Sequence, residues 1–128
     1  MTTSAYPLLT TLRDALGAVA GVQTCKIGLE ANMTPADYPM VRIVPSRVAD
    51  DSVIGRRDVE CLIYFGQPIH EFSEGVEALY ESLLTMEVAL ITAAVQTGGI
   101  MVQYMETVLD EDRIDAYKLM ALRVRVVG

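Results

Sequence analysis

The sequence predicts an α+β domain in which a mixed or antiparallel sheet of four to five strands carries two helices packed on one face. Three observations carry that reading. Apolar residues recur at helical spacing in two separate segments, and at period two in the segments between and after them. The 128 residues suit a single domain spanning 1–128, with one core.

The first helix is expected over 5–20. Pro7 sits where a first turn tolerates a missing N–H, and Leu8, Leu9, Leu12, Leu16 and Val19 repeat at three and four before Gly21 interrupts. Cys25, Ile27 and Leu29 then alternate with Thr24, Lys26 and Gly28, as in a half-buried strand. A second β-rich run over 38–44 follows a loop holding Pro35 and Pro39. Few apolar anchors and many charges make 45–57 read as a long exposed loop. Val59, Cys61, Ile63 and Phe65 alternate again and end at Gly66 and Pro68, which predicts a strand and the candidate for a central hairpin.

The second helix is expected over 72–96. Ser73 suits its cap, and Glu74 and Glu77 suit the positive end of its dipole. Phe72, Val76, Leu79, Leu83, Met86 and Leu90 form the apolar stripe, Leu84, Val88, Ile91 and Val95 widen it, and Gly98 and Gly99 end it. Two strands over 100–109 and 115–127, with an acidic turn between, complete the pattern.

Composition excludes several classes of function. At 52% hydrophobic and 21% charged, the chain is globular rather than disordered. Ten Lys and Arg against seventeen Asp and Glu leave a net charge of −7, which opposes a sequence-independent grip on nucleic acid. The apolar window 83–95 is interrupted by Thr85, Glu87 and Thr92 and falls short of the roughly 20 residues a span requires, so no membrane segment is expected. No basic residue precedes an apolar run in 1–7, so no export signal is expected either. Cys25 and Cys61 read as reduced, buried thiols.

Catalytic patterns are sparse. The single histidine, His70, has Glu71 beside it and Cys61 nine positions back, a possible nucleophile–base pair, although a lone His at a helix start more commonly caps or faces water. Neither a second His nor a C-x-x-C pair exists to build a zinc site, and no glycine-rich phosphate loop occurs. The cluster Asp110, Glu111, Asp112 and Asp115 is the candidate for a hard cation, with a weak Mg²⁺ dependence of assembly as its expression; the plainer reading is a solvated hairpin tip. No other cofactor is expected.

Interface features are better represented. Arg47, Asp50, Asp51, Val53, Ile54, Arg56 and Arg57 combine both charge signs with apolar residues, a pattern suited to pairing with a neighbouring copy as well as to a soluble loop. Met86, Met101, Met105 and Met120 read as core fillers, and Met33 and Met40 as adaptable contacts. Tyr104 and Tyr117 suit interface anchors or half-buried strand positions.

Taken along nearly its whole length, the chain resembles the tail-terminator proteins of long-tailed bacteriophages. The resemblance lies in the opening YPLLTTLRDALGAVAGV, the proline-flanked ADYPMVRIVPS, the strand RRDVECLIYFG, the helix SEGVEALYESLLTMEVAL and the closing YMETVLDEDRIDAYKLMALRVRV. It implies a structural, non-enzymatic role: a hexameric ring on the tail tube that ends tube polymerisation and offers a surface for joining the head. The implied partners are identical copies, the tube protein and head–tail connector proteins, encountered in the host bacterial cytoplasm and then in the virion tail. Other expectations are a different neck or tail-completion protein, a prophage remnant, or a small-ligand-binding α+β module.

Overall fold

The computed structural model describes residues 3–29, 33–68, 75–109 and 117–128. The elements run α1 (Tyr6–Gly17), β1 (Thr24–Ile27), a short 3-10 turn (Pro35–Asp37), β2 (Met40–Asp50), β3 (Arg57–Pro68), α2 (Val76–Val95), β4 (Met101–Leu109) and β5 (Tyr117–Val127). The strands form one sheet in the order β1-β2-β3-β5-β4. Only β1 and β2 are parallel; the other three pairings are antiparallel. The α+β prediction holds, with five strands and a mixed sheet.

Register explains how the core is made. Val41 and Ile43 of β2, Val59, Cys61, Ile63 and Phe65 of β3, and Met120, Leu122, Val124 and Val126 of β5 are all buried and lie on one face. Against that face α1 packs Leu8, Leu9, Leu12 and Leu16, and α2 packs Leu79, Leu83, Met86, Leu90 and Ala94. Each fully buried leucine contributes about 1.5–3 kcal/mol by leaving water. α1 touches β1 and β2, while α2 covers β3, β5 and β4, and the two helices meet each other.

Local chemistry sets the ends. Pro7 occupies the first turn of α1, and its carbonyl accepts the hydroxyls of Thr10 and Thr11. α1 closes at Gly17, earlier than periodicity suggested, because Ala18 and Val19 turn the chain toward β1. Buried Arg42, on the sheet face away from the helices, donates to the Thr24 hydroxyl at 3.0 Å and to the Val41 carbonyl at 2.8 Å. The Thr24 hydroxyl in turn reaches the Asp37 carbonyl, joining β1 to the turn ahead of β2. The Tyr38–Pro39 peptide bond in this region is cis.

Several expectations are corrected. Residues 45–57 are not a long loop: β2 continues to Asp50, β3 begins at Arg57, and only a short turn joins them. Pro45 is accommodated because the β2–β3 register shifts between Pro45 and Arg47, a bulge where the ladder does not need its N–H. A second bulge lies between Tyr104 and Glu106. Met101 and Met105 are exposed rather than core-filling, since β4 is an edge strand, Met101 lies on the helix-free face and Met105 is the bulged residue. Met40 is buried and so is no surface contact, whereas Met86 and Met120 are buried as expected. Leu29 lies beyond β1 and is exposed. The expected cap at Ser73 falls outside the described residues, as do His70 and Glu71.

Where β3 and β5 approach at Gly66, a side chain has no room. A Cβ there would stand 2.5 Å from the Lys118 carbonyl oxygen and 2.3 Å from Leu119 Cδ2. Gly66→Ala is therefore expected to destabilise the fold by about 1–3 kcal/mol through overpacking against backbone, read as a lower denaturant midpoint with an unchanged slope.

Candidate functional site

Seven residues predicted to meet a neighbouring copy surround the turn between β2 and β3, and the structure divides them into two groups. Four are engaged mainly within the chain. Arg57, with a side chain 17% exposed, donates to the Ala49 carbonyl at 3.3 Å and the Thr3 carbonyl at 2.7 Å and lies 3.4 Å from Asp50. Arg47 stands 3.9 Å from Glu60 across the sheet. Asp51 accepts the Val53 N–H at 3.3 Å, the local bond by which an aspartate shapes a turn. Arg57 is thus an internal clamp, not a free cation awaiting a neighbour's carboxylate as the loop reading implied.

The second group is tied only through its backbone, and its side chains point outward. Ile54 is 95% exposed and Val53 49%. Arg56 is exposed and forms no ion pair among the described residues. Three open hollows, of about 200, 320 and 200 Å³, all include Arg56 in their walls. They fall at or near the lower limit of small-molecule pockets, which run to roughly 300–1,000 Å³.

The turn that presents these residues is rigidly held. Asp51 N–H bonds the Arg56 carbonyl and Arg56 N–H bonds the Val53 carbonyl, both at 3.2 Å. Gly55 takes φ +86°, a left-handed conformation costly for side-chain-bearing residues. Arg57 and Gly128 exchange both backbone hydrogen bonds, and the Thr3 hydroxyl reaches the Gly55 carbonyl. The apolar tip is therefore displayed on a backbone tied from both sides.

Beside the turn, the helix-free face of the sheet carries charges of alternating sign. Arg125 grips Asp58 with two nitrogens, Nε lying 2.9 Å from both carboxylate oxygens. Arg123 pairs Glu106 at 3.0 Å across β5 and β4. These pairs neutralise one another locally, so the face is hydrated rather than strongly charged. The Arg125 hydrogen bonds hold the Asp58 carboxyl below its ordinary range despite partial burial.

The cysteines are placed for packing. Cys61 is buried on the helix-facing side of β3, and burial pushes its thiol up to about 12. Cys25 is half-buried, donates to the Arg13 carbonyl at 3.4 Å, and is pushed up by burial to about 11. Neither is poised as a thiolate. Among the described residues no three His, Cys, Asp or Glu converge as metal ligands. Asp110, Glu111, Asp112 and Asp115 lie outside the described residues, as does the side chain of Tyr117.

One surface escaped sequence reasoning. Leu84, Val88 and Val95 of α2, assigned by periodicity to a widened core stripe, are 44%, 60% and 48% exposed. Ser82 accepts a hydrogen bond from Gln67 of β3, whereas Tyr80 lies under the Lys118 ammonium of β5, so the Tyr80 side of α2 points toward β4. At about 100° per residue Leu84 lies close to Tyr80 on that side, and Val88 and Val95 lie farther round, on the surface of α2 turned away from the sheet. Tyr104 and Leu109, 37% and 50% exposed, lie on the helix-facing side of β4. Val76–Val95, with mean hydropathy 1.5 over an 18-residue window, is long and apolar enough to cross a membrane; here one side is core and another forms this flank. The only advance sign was a run too apolar for one buried stripe.

Two outcomes are expected. Asp58→Asn lowers stability at neutral pH. Because the folded carboxyl is depressed, the stabilisation is present above its unfolded value, about 3.9, and fades as pH falls through the lower folded value; melting curves of the two proteins should converge in strong acid. A thiol reagent at pH 8 should leave Cys61 unmodified until denaturant is added. In comparison with known proteins, the chain matches no family model and no curated protein sequence.

Proposed function

We propose that the chain is a structural subunit of a phage or prophage tail, which closes into a ring on the tail tube, ends tube growth and offers a surface for joining the head. The observation that supports self-assembly best is the pairing of two unlike contact surfaces on one rigid domain. One is the Val53–Ile54–Arg56 tip and the other is the free edge of β4 with the exposed side of α2. Surfaces that differ in this way join head to tail, and a head-to-tail contact closes into a ring when its rotation divides the circle. The phage role rests on the order of elements and the sequence segments that resemble tail terminators.

In this reading no reaction is carried out. Partners are identical copies, six to the ring, then the tube protein and head–tail connector proteins. Assembly takes place in the bacterial cytoplasm and ends in the virion, with the acidic segment around Asp110–Asp115 adding at most a weak Mg²⁺ dependence. A net charge of −7 per copy would let DNA pass a ring without adhering.

Deleting the gene should yield tubes of uncontrolled length that fail to join heads, seen by electron microscopy. Tails of normal length attached to filled heads would overturn the proposal.

A further inference from the structure

We propose that the exposed apolar surface of α2 is the receptor for the β2–β3 tip of a second copy of this chain, with Ile54 seated against Leu84 and Val88 and Arg56 facing Glu81. The inference rests on the self-assembly reading above and names the two surfaces that meet.

The flank has the properties of an unfilled contact. Leu84, Val88 and Val95 of α2 are exposed, as are Tyr104 and Leu109 of the neighbouring β4, and half-buried Ile91 packs against the core. β4 is an edge strand nine residues long. It has no Lys or Pro of the kind that blunts an edge, and its sole charge, Glu106, is paired with Arg123. An exposed apolar surface of this kind marks an interaction site.

Charge decides the occupant. From Asp58 to Asp112 the chain carries eleven carboxylates and not one Lys or Arg. On α2 the charged residues are Glu77, Glu81 and Glu87. Two such flanks placed face to face would oppose carboxylates with carboxylates, so a symmetric contact is disfavoured. The complement is an apolar projection bearing a positive charge. This chain has one: Ile54 is almost wholly exposed, and Arg56, two residues on, makes no ion pair among the described residues. Glu81 is exposed one turn ahead of Leu84 and Thr85, on the rim of the flank. The fit of Ile54 supplies apolar burial, and the Arg56–Glu81 pair sets register and excludes the symmetric arrangement.

Cross-linking reads the contact directly, with the unmodified chain oxidised in parallel to account for Cys25 and Cys61. Purified Ile54→Cys and Val88→Cys proteins, mixed under mild oxidation, should form a mixed disulfide dimer, while neither alone should dimerise. A chain carrying both substitutions should form covalent multimers. Separately, Arg56→Glu and Glu81→Arg should each weaken association about tenfold by sedimentation, and mixing or combining them should restore it. Covalent dimers of Val88→Cys alone would assign the flank to a symmetric contact and overturn the proposal. So would the absence of mixed dimers, or flotation of the unmodified chain with neutral lipid vesicles that Val88→Asp abolishes. Normal tails after gene deletion together with intact cross-linking would refute the phage role and leave this contact standing.

Discussion

Everything in this domain is arranged around the two-sided pairing of β3. It is paired with β2 from Arg57 to Gly66 on one side and with β5 from Asp58 to Pro68 on the other, so its side chains have only two directions available. Val59, Cys61, Ile63 and Phe65 point to the helices and are completely buried; Asp58, Glu60, Leu62 and Tyr64 point away. Both helices are amphipathic against that one apolar row and its neighbours. With β3 in the centre, β1 and β4 become edges, and what those edges expose is a consequence of the same pairing. The turn at the start of β3 inherits rigidity from it as well, since Arg57 is bonded to Gly128 before the chain leaves the sheet.

How much of this was legible in the chain depends on whether local pattern and tertiary position agree. They agree in β3, where strict alternation meets a sheet that is apolar on one side, and in the buried stripes of α1 and α2. They disagree in β2 beyond Val44. There the strand runs past the edge of the helical layer, so even Val48, whose register partner Val59 is buried, is 45% exposed, and no alternation remains to signal a strand. Pro45 reinforced the misreading, because a bulge that tolerates proline leaves no mark in the sequence. The interface residues suffered similarly: proximity along the chain put Arg47, Asp50, Arg57 and Ile54 in one group, but cross-strand geometry gave the charged ones partners and left the tip exposed.

The opposite error occurred on α2. Periodicity alone counts Leu84, Val88 and Val95 with the core because they lie within helical reach of Leu83 and Leu90. A single sheet beneath a helix covers only part of its circumference, and the remainder of an over-wide apolar stripe is left exposed. Met101 and Met105 follow the same logic on the strand itself, since an edge position removes one of the neighbours that would have covered them. The surplus apolar residues are thus informative about assembly where they fail as predictors of burial.

The two bulges stand at one level of the sheet. Pro45 and Tyr104 flank the row that contains Cys61 and Val124, so the strands on either side of the β3–β5 pair each insert a residue at the same height. In the outer strands the helix-facing positions therefore change parity across that row, Val102 and Tyr104 before it and Thr107 and Leu109 after it in β4, while β3 and β5 keep an unbroken alternation. Loss of one codon at Ser46 or Met105 would make Pro45 and Arg47, or Tyr104 and Glu106, consecutive in the ladder, removing the bulge while every partner and side-chain direction on either side of it is kept. These two positions are therefore where the sheet can lose a residue without exchanging its buried and exposed faces.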